Sequence, residues 1–153
     1  MNAPGIFPRT YTATSLSELE NIAAKVVAIL EKQRTDRATI LALEGDLGAG
    51  KTTLVQMIAK TLHVTEPVSS PTFVISKYYD LPSQRWSRLI HMDAYRLDGF
   101  PTEPLDLPTL FHDPQNLVCI EWPSIIKNDL PAKVISLKIT VDTKETRTIE
   151  IDI

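Results

Sequence analysis

The chain has 153 residues, 43% of them apolar and 23% charged, and 16 basic against 19 acidic side chains give a net charge of −3. That size suits a single domain over residues 1–153 with a core of its own, and the composition excludes wholesale disorder. The lack of a basic surplus excludes a chain that grips nucleic acid unaided, and the single cysteine, Cys119, excludes an internal disulfide and fits a reducing compartment.

Residues 1–9 hold two prolines and no apolar stretch of signal-peptide length, so no export signal is expected there. Ser15 with Glu18 forms a capping-box pattern, and Leu16, Leu19, Ile22, Ala23, Val26, Val27 and Leu30 recur at helical spacing. Residues 15–33 therefore read as an amphipathic helix. Its cleanest aliphatic run, Val26 to Leu30, is far shorter than the ~20 residues of a membrane span, so a cytoplasmic chain that touches no membrane is expected. Thr39 to Glu44 is a short apolar run suited to a buried strand. A second helix is expected from near Lys51, with Leu54, Val55, Ile58 and Leu62 inward. Nine of the eleven prolines lie between Pro67 and Pro131, which predicts short strands and stiff loops there. Strand patterns follow at Thr72–Tyr79, Arg88–Asp93, Leu117–Glu121, Val134–Val141 and Arg147–Ile153, the last two as a hairpin around Asp142–Glu145. Early alternation of strand and helix, then mostly strands, predicts a mixed α/β sheet with a parallel centre.

Between the first buried strand and the second helix stands Gly45-Asp46-Leu47-Gly48-Ala49-Gly50-Lys51-Thr52, a full match to the phosphate-binding pattern G-x-x-x-x-G-K-[ST]. Glycines let successive N–H groups turn toward phosphate oxygens, and the helix that follows aims its positive end at the same anion. Lys51 supplies charge for the β- and γ-phosphates of a nucleotide, and the Thr52 hydroxyl is placed to ligate Mg²⁺. The candidate nucleotide-binding residues are Gly45, Asp46, Gly48, Ala49, Gly50, Lys51, Thr52 and Thr53. Two acids, Asp93 and Glu121, end apolar strands, and in an open α/β sheet such ends adjoin the ligand crevice. The segment Ser69-Ser70-Pro71-Thr72-Phe73 reads either as a rigid proline turn or as a loop that brings a hydroxyl to the γ-phosphate. His63 is expected at an exposed helix end, His91 in a structural place on its strand or, as the lesser reading, leaning from it toward the site, Cys119 in the core, and Trp122-Pro123 in packing.

Gly45 to Thr53, then Ser70-Pro71-Thr72-Phe73, then His91-Met92-Asp93-Ala94-Tyr95-Arg96, then Ile120-Glu121-Trp122-Pro123 resemble, in order and spacing, the TsaE family of bacterial ATPases needed to make N6-threonylcarbamoyladenosine in tRNA. The resemblance spans nearly the whole chain. It implies a P-loop NTPase fold with flanking helices and an antiparallel C-terminal hairpin. It further implies ATP binding and slow hydrolysis, with Mg²⁺ held by Thr52 and Glu121. Asp93 would assist metal or water, making Asp93, Lys51 and Thr72 the catalytic candidates, with Thr72 in one switch-like loop and Tyr95 and Arg96 in a second. Adenine would lie around Leu16 and Glu145. The implied partners are TsaB and TsaD, with tRNA reached only through their complex. The chain departs from the family pattern at Leu19, at Leu62-His63 where Leu-Gly is usual, and at Gly99 to Pro104 where an acidic segment is usual. Two other functions stay open on the residues alone: a nucleotide-dependent binding module, and a P-loop kinase of a small metabolite. A GTPase is disfavoured, since no N/T-K-x-D guanine-reading motif is present and Asp93 is followed by Ala94-Tyr95-Arg96 rather than x-x-Gly.

Overall fold

The computed structural model describes residues 9–82 and 85–153, so the expectation about an export signal concerns residues 1–8, which lie outside the described residues. Strand β1 (Arg9–Ala13) runs into helix α1 (Leu16–Lys32). The Ser15 Oγ accepts the Glu18 N–H at 3.1 Å, while Glu18 Oε2 accepts the Thr14 N–H at 2.6 Å and the Thr14 hydroxyl at 2.8 Å. These bonds occupy donors that a helix start leaves free, and the Thr14 N–H, then its hydroxyl, hold the Glu18 carboxyl below its ordinary range. The inward stripe of α1 buries Leu19, Ile22, Ala23, Val26, Val27, Ile29 and Leu30.

Strand β2 (Thr39–Glu44) leads through the glycine loop into helix α2 (Lys51–Thr61). The end of α2 is a Schellman closure: the His63 N–H donates to Lys60 O and the Val64 N–H to Ala59 O, both at 3.0 Å. His63 therefore takes the left-handed conformation, φ 63°, exposed at the helix end as the sequence predicted. The strands that follow are β3 (Ser76–Asp80), β4 (Arg88–Asp93), β5 (Asn116–Glu121), β6 (Ile135–Val141) and β7 (Arg147–Asp152). Two single 3-10 turns and a short helix α3 (Leu107–His112), with Pro108 in its first turn, separate β4 from β5.

All seven strands form one sheet in the order β1-β7-β6-β2-β5-β4-β3. β2 pairs in parallel with β5 and β6, and β5 pairs in parallel with β4. The outer pairs β3–β4, β6–β7 and β1–β7 are antiparallel. The expected parallel centre and antiparallel C-terminal hairpin are both present. Five of the six β2 residues and all six of β5 are buried, the pattern of strands covered on both faces. Leu41, Leu43, Leu89, Leu117 and Cys119 join the core formed with α1 and α2. Ile40, Ile90, Met92, Val118 and Ile120 face the other side with Leu107, Leu110, Phe111 and Ile126. Strand alternation then puts His91, Asp93 and Glu121 on the face that carries α2.

The strand expected over Thr72–Tyr79 begins only at Ser76. Before it, Pro71 O accepts the N–H groups of Val74 at 3.0 Å and Ile75 at 2.7 Å, closing a turn that sets Ile75 at φ 70°. Other expected boundaries agree within one or two residues. Among the described residues no helix is long and apolar enough to cross a membrane.

Candidate functional site

Because β2, β5 and β4 run in parallel, their C-terminal ends share one edge of the sheet, where the glycine loop leaves β2. Register places Asp93 opposite Glu121 on neighbouring strands. Loop geometry explains two glycines. A Cβ on Gly45 would lie 2.7 Å from the Ile139 carbonyl oxygen, and Gly50 caps α2 at φ 110°, a conformation that L side chains rarely adopt.

Lys51 opens α2 and is only 5% exposed. Its Nζ donates to Gly45 O at 2.6 Å and to Asp46 O at 3.1 Å, and lies 4.1 Å from the Trp122 ring centroid. Burial pulls the Lys51 amine below its ordinary range, opposed by the charges of Glu121, Asp93 and Asp46. Trp122 takes the left-handed conformation at φ 57°, and its ring also meets Tyr95 at 5.2 Å. The packing role expected of Trp122 thus has a specific partner, the P-loop lysine.

Thr52 Oγ1 lies 3.0 and 3.1 Å from the two oxygens of the Glu121 carboxylate. The carboxylate is 3% exposed and is also bonded from β4, where His91 Nε2 lies 2.6 Å from Glu121 Oε2. A hydroxyl and a carboxylate side by side at a phosphate loop are the hard oxygen donors that Mg²⁺ takes, with phosphate and water completing its shell, so these two residues fit that ion.

Asp93 is 5% exposed. Its Oδ2 accepts from Thr72 Oγ1 and its Oδ1 from the Tyr95 N–H, each at 3.0 Å. The Thr72 proton is committed to Asp93, so the 2.5 Å contact between the Ser70 and Thr72 hydroxyls has Ser70 as donor. The turn at Pro71 is the stiff turn of the first reading, and it places the Thr72 hydroxyl on Asp93 at the strand ends. Phe73 beside it is 84% exposed and lies under the Arg96 guanidinium, 4.6 Å from its ring centroid.

These groups line a cleft of about 290 Å³ that holds Gly48, Gly50, Lys51, Thr52, Thr53, Ser70, Thr72, Asp93, Glu121 and Trp122. A second cavity of about 450 Å³ meets it at Gly48, Gly50 and Thr53 and runs to Ala13, Leu16, Leu19, Lys144, Glu145 and Arg147. In this second cavity Arg147 ties the C-terminal hairpin to the glycine loop: its Nε donates to Ala49 O at 3.1 Å and its Nη1 to Thr143 O at 3.2 Å. Another cavity of about 300 Å³, among Gln33, Arg37, Phe111 and Lys133, touches none of the motifs. Sequence reasoning raised His91 as a residue that could lean toward the site but did not name its partner, Glu121, and it missed Arg147, which lies 98 residues from Ala49 with nothing local to announce that contact. Cys119 is buried in the core as expected, and burial, with a smaller push from Glu121, raises its thiol to about 12.

A sequence model described as threonylcarbamoyl adenosine biosynthesis protein TsaE matches residues 13–149. The tRNA threonylcarbamoyladenosine biosynthesis protein TsaE of Bacillus subtilis is 39% identical over 118 residues, 75% of this chain and 70% of that one. The protein of the same name from a Nostoc species is 34% identical over 128 residues, 82% of this chain and 76% of that one. The crystal structure of Bacillus subtilis YdiB superposes with a TM-score of 0.76 at 29% identity, over 97% of this chain and 87% of that one. With the family model matched over residues 13–149 and relatives at 34–39% identity across most of the chain, the chain belongs to the TsaE family of threonylcarbamoyl adenosine biosynthesis proteins.

Proposed function

We propose that the protein binds Mg²⁺·ATP on the Gly45–Thr52 loop, hydrolyses it slowly, and uses that cycle in N6-threonylcarbamoyladenosine formation in tRNA. The observation that carries the proposal is the meeting of the P-loop, Asp93 and Glu121 at one edge of the sheet. Loop N–H groups and Lys51 hold the phosphates, and the adjoining cavity by Leu16 and Glu145 takes the adenosine. Thr52 and Glu121 hold Mg²⁺, which when bound supplies charge neutralisation at the β- and γ-phosphates. Asp93, its second oxygen tied to the Tyr95 N–H, orients the attacking water, with Thr72 beside it at the γ-phosphate.

The reaction is mostly a matter of position and charge, so loss of one loop contact costs affinity directly. The neighbouring loops carry Phe73, Val74 and Tyr95 exposed around Thr72 and Asp93, a surface whose shape follows the nucleotide. Partners TsaB and TsaD bind there, and tRNA is reached through their complex, as a net charge of −3 leaves little counterion release to gain from direct binding. The protein works in the cytoplasm, where tRNA is modified. Calorimetry on Lys51→Ala tests the site: ATP affinity falls by about 1.5–3 kcal/mol with the loss of a charge-assisted contact. Unchanged affinity in that variant refutes the proposal.

A further inference from the structure

We infer that His91 is a positioning residue that holds the Glu121 carboxylate against Thr52 and away from Lys51, and so sets how strongly Mg²⁺ supports nucleotide binding. This rests on the Mg²⁺·ATP reading of the cleft. The two residues are on adjacent parallel strands: His91 lies opposite Cys119, two positions before Glu121 on the same face. The imidazole is 0% exposed and its Nε2 lies 2.6 Å from Glu121 Oε2. An ionised carboxylate offers no proton, so Nε2 is the donor. The other ring nitrogen, Nδ1, is buried with no partner. An orphaned N–H there would cost more than a bare lone pair, which favours a ring that carries a proton on Nε2 over one protonated on Nδ1 alone.

The carboxylate is thus gripped from two sides, by β4 through His91 and by α2 through Thr52. Glu121 is also the leading charge acting on Lys51. A buried carboxylate deprived of the imidazole has an ammonium as its best remaining partner. Turning to Lys51 would take Glu121 off Thr52 and draw the lysine from the phosphates. His91 keeps the metal donor and the phosphate donor apart, in the way that partners of a ligating carboxylate fix its direction.

The test compares His91→Gln, which keeps a donor amide at nearly the reach of Nε2, with His91→Met, a side chain of like length with no donor. Calorimetry gives ATP affinity with Mg²⁺ and with chelator, and the ratio is the readout. A histidine that only fills space would leave the ratio unmoved in any folded variant. The expected result is a ratio about tenfold lower in His91→Met and largely restored in His91→Gln. A wild-type ratio in folded His91→Met overturns the inference. No Mg²⁺ dependence in the wild type overturns the Mg²⁺·ATP reading itself. Should His91→Met fail to fold, nitrogen NMR of the wild-type ring decides: a proton on Nε2 is expected, and a ring protonated on Nδ1 alone overturns the inference.

Discussion

Asp93 accepts the Tyr95 N–H on one oxygen and the Thr72 hydroxyl on the other; in Asp93→Asn the amide oxygen keeps the Tyr95 bond and the NH₂ donates to Thr72 Oγ1 instead of accepting from it, so the shape of the site is kept. Asp93→Asn should therefore bind ATP as the wild type does while turnover falls about 100-fold or more, the range of a lost general base. Equal hydrolysis by the variant would make the carboxylate structural. Cys119 sits two positions before Glu121 and takes no part in that chemistry. Its thiol ionises near 9.0 in the unfolded chain but holds its proton to about 12 in the fold. Between those values the unfolded chain binds fewer protons, so this group makes stability fall as pH rises, by up to about 1.4 kcal/mol per pH unit. Denaturant unfolding of wild type and Cys119→Ala across the alkaline range should show that slope only in the wild type.

Helix α2 ends on a residue that does not suit its place. The closure that satisfies the Lys60 and Ala59 carbonyls needs a left-handed residue, and His63 occupies it at φ 63°. The ring is exposed, so nothing is gained from its packing. His63→Gly should stabilise the protein by about 1 kcal/mol, seen as a higher denaturant midpoint at constant slope. The elements that sequence predicts well are those written locally: the capping box of α1, the glycine loop, and the two apolar strands that end in Asp93 and Glu121. The start of β3 was not legible, because Phe73, Val74 and Ile75 read as strand while two N–H bonds to Pro71 O curl them into a turn. Helix α3 was hidden by its own proline and its six-residue length. The grip of His91 on Glu121 depends on strand register, which no local pattern states.

At the scale of the molecule, the parallel centre collects loop, acids and hydroxyls at one edge, and the C-terminal hairpin reaches back through Arg147 to the loop at Ala49. The result is a cleft at the glycine loop flanked by an exposed apolar and aromatic rim, on a chain with a net charge of −3. Under the proposed function, such a molecule would influence tRNA through proteins that read the state of the rim. The most direct test is to count modified adenosines in a mixture of TsaB, TsaD, tRNA, threonine, bicarbonate, ATP and TsaC, the protein that makes threonylcarbamoyl-adenylate for them, with this protein or its Lys51→Ala variant added. Repeated turnover with the wild type, and none above the level without it for Lys51→Ala, is the predicted result. Equal stimulation by the two would contradict a role that runs through the bound nucleotide.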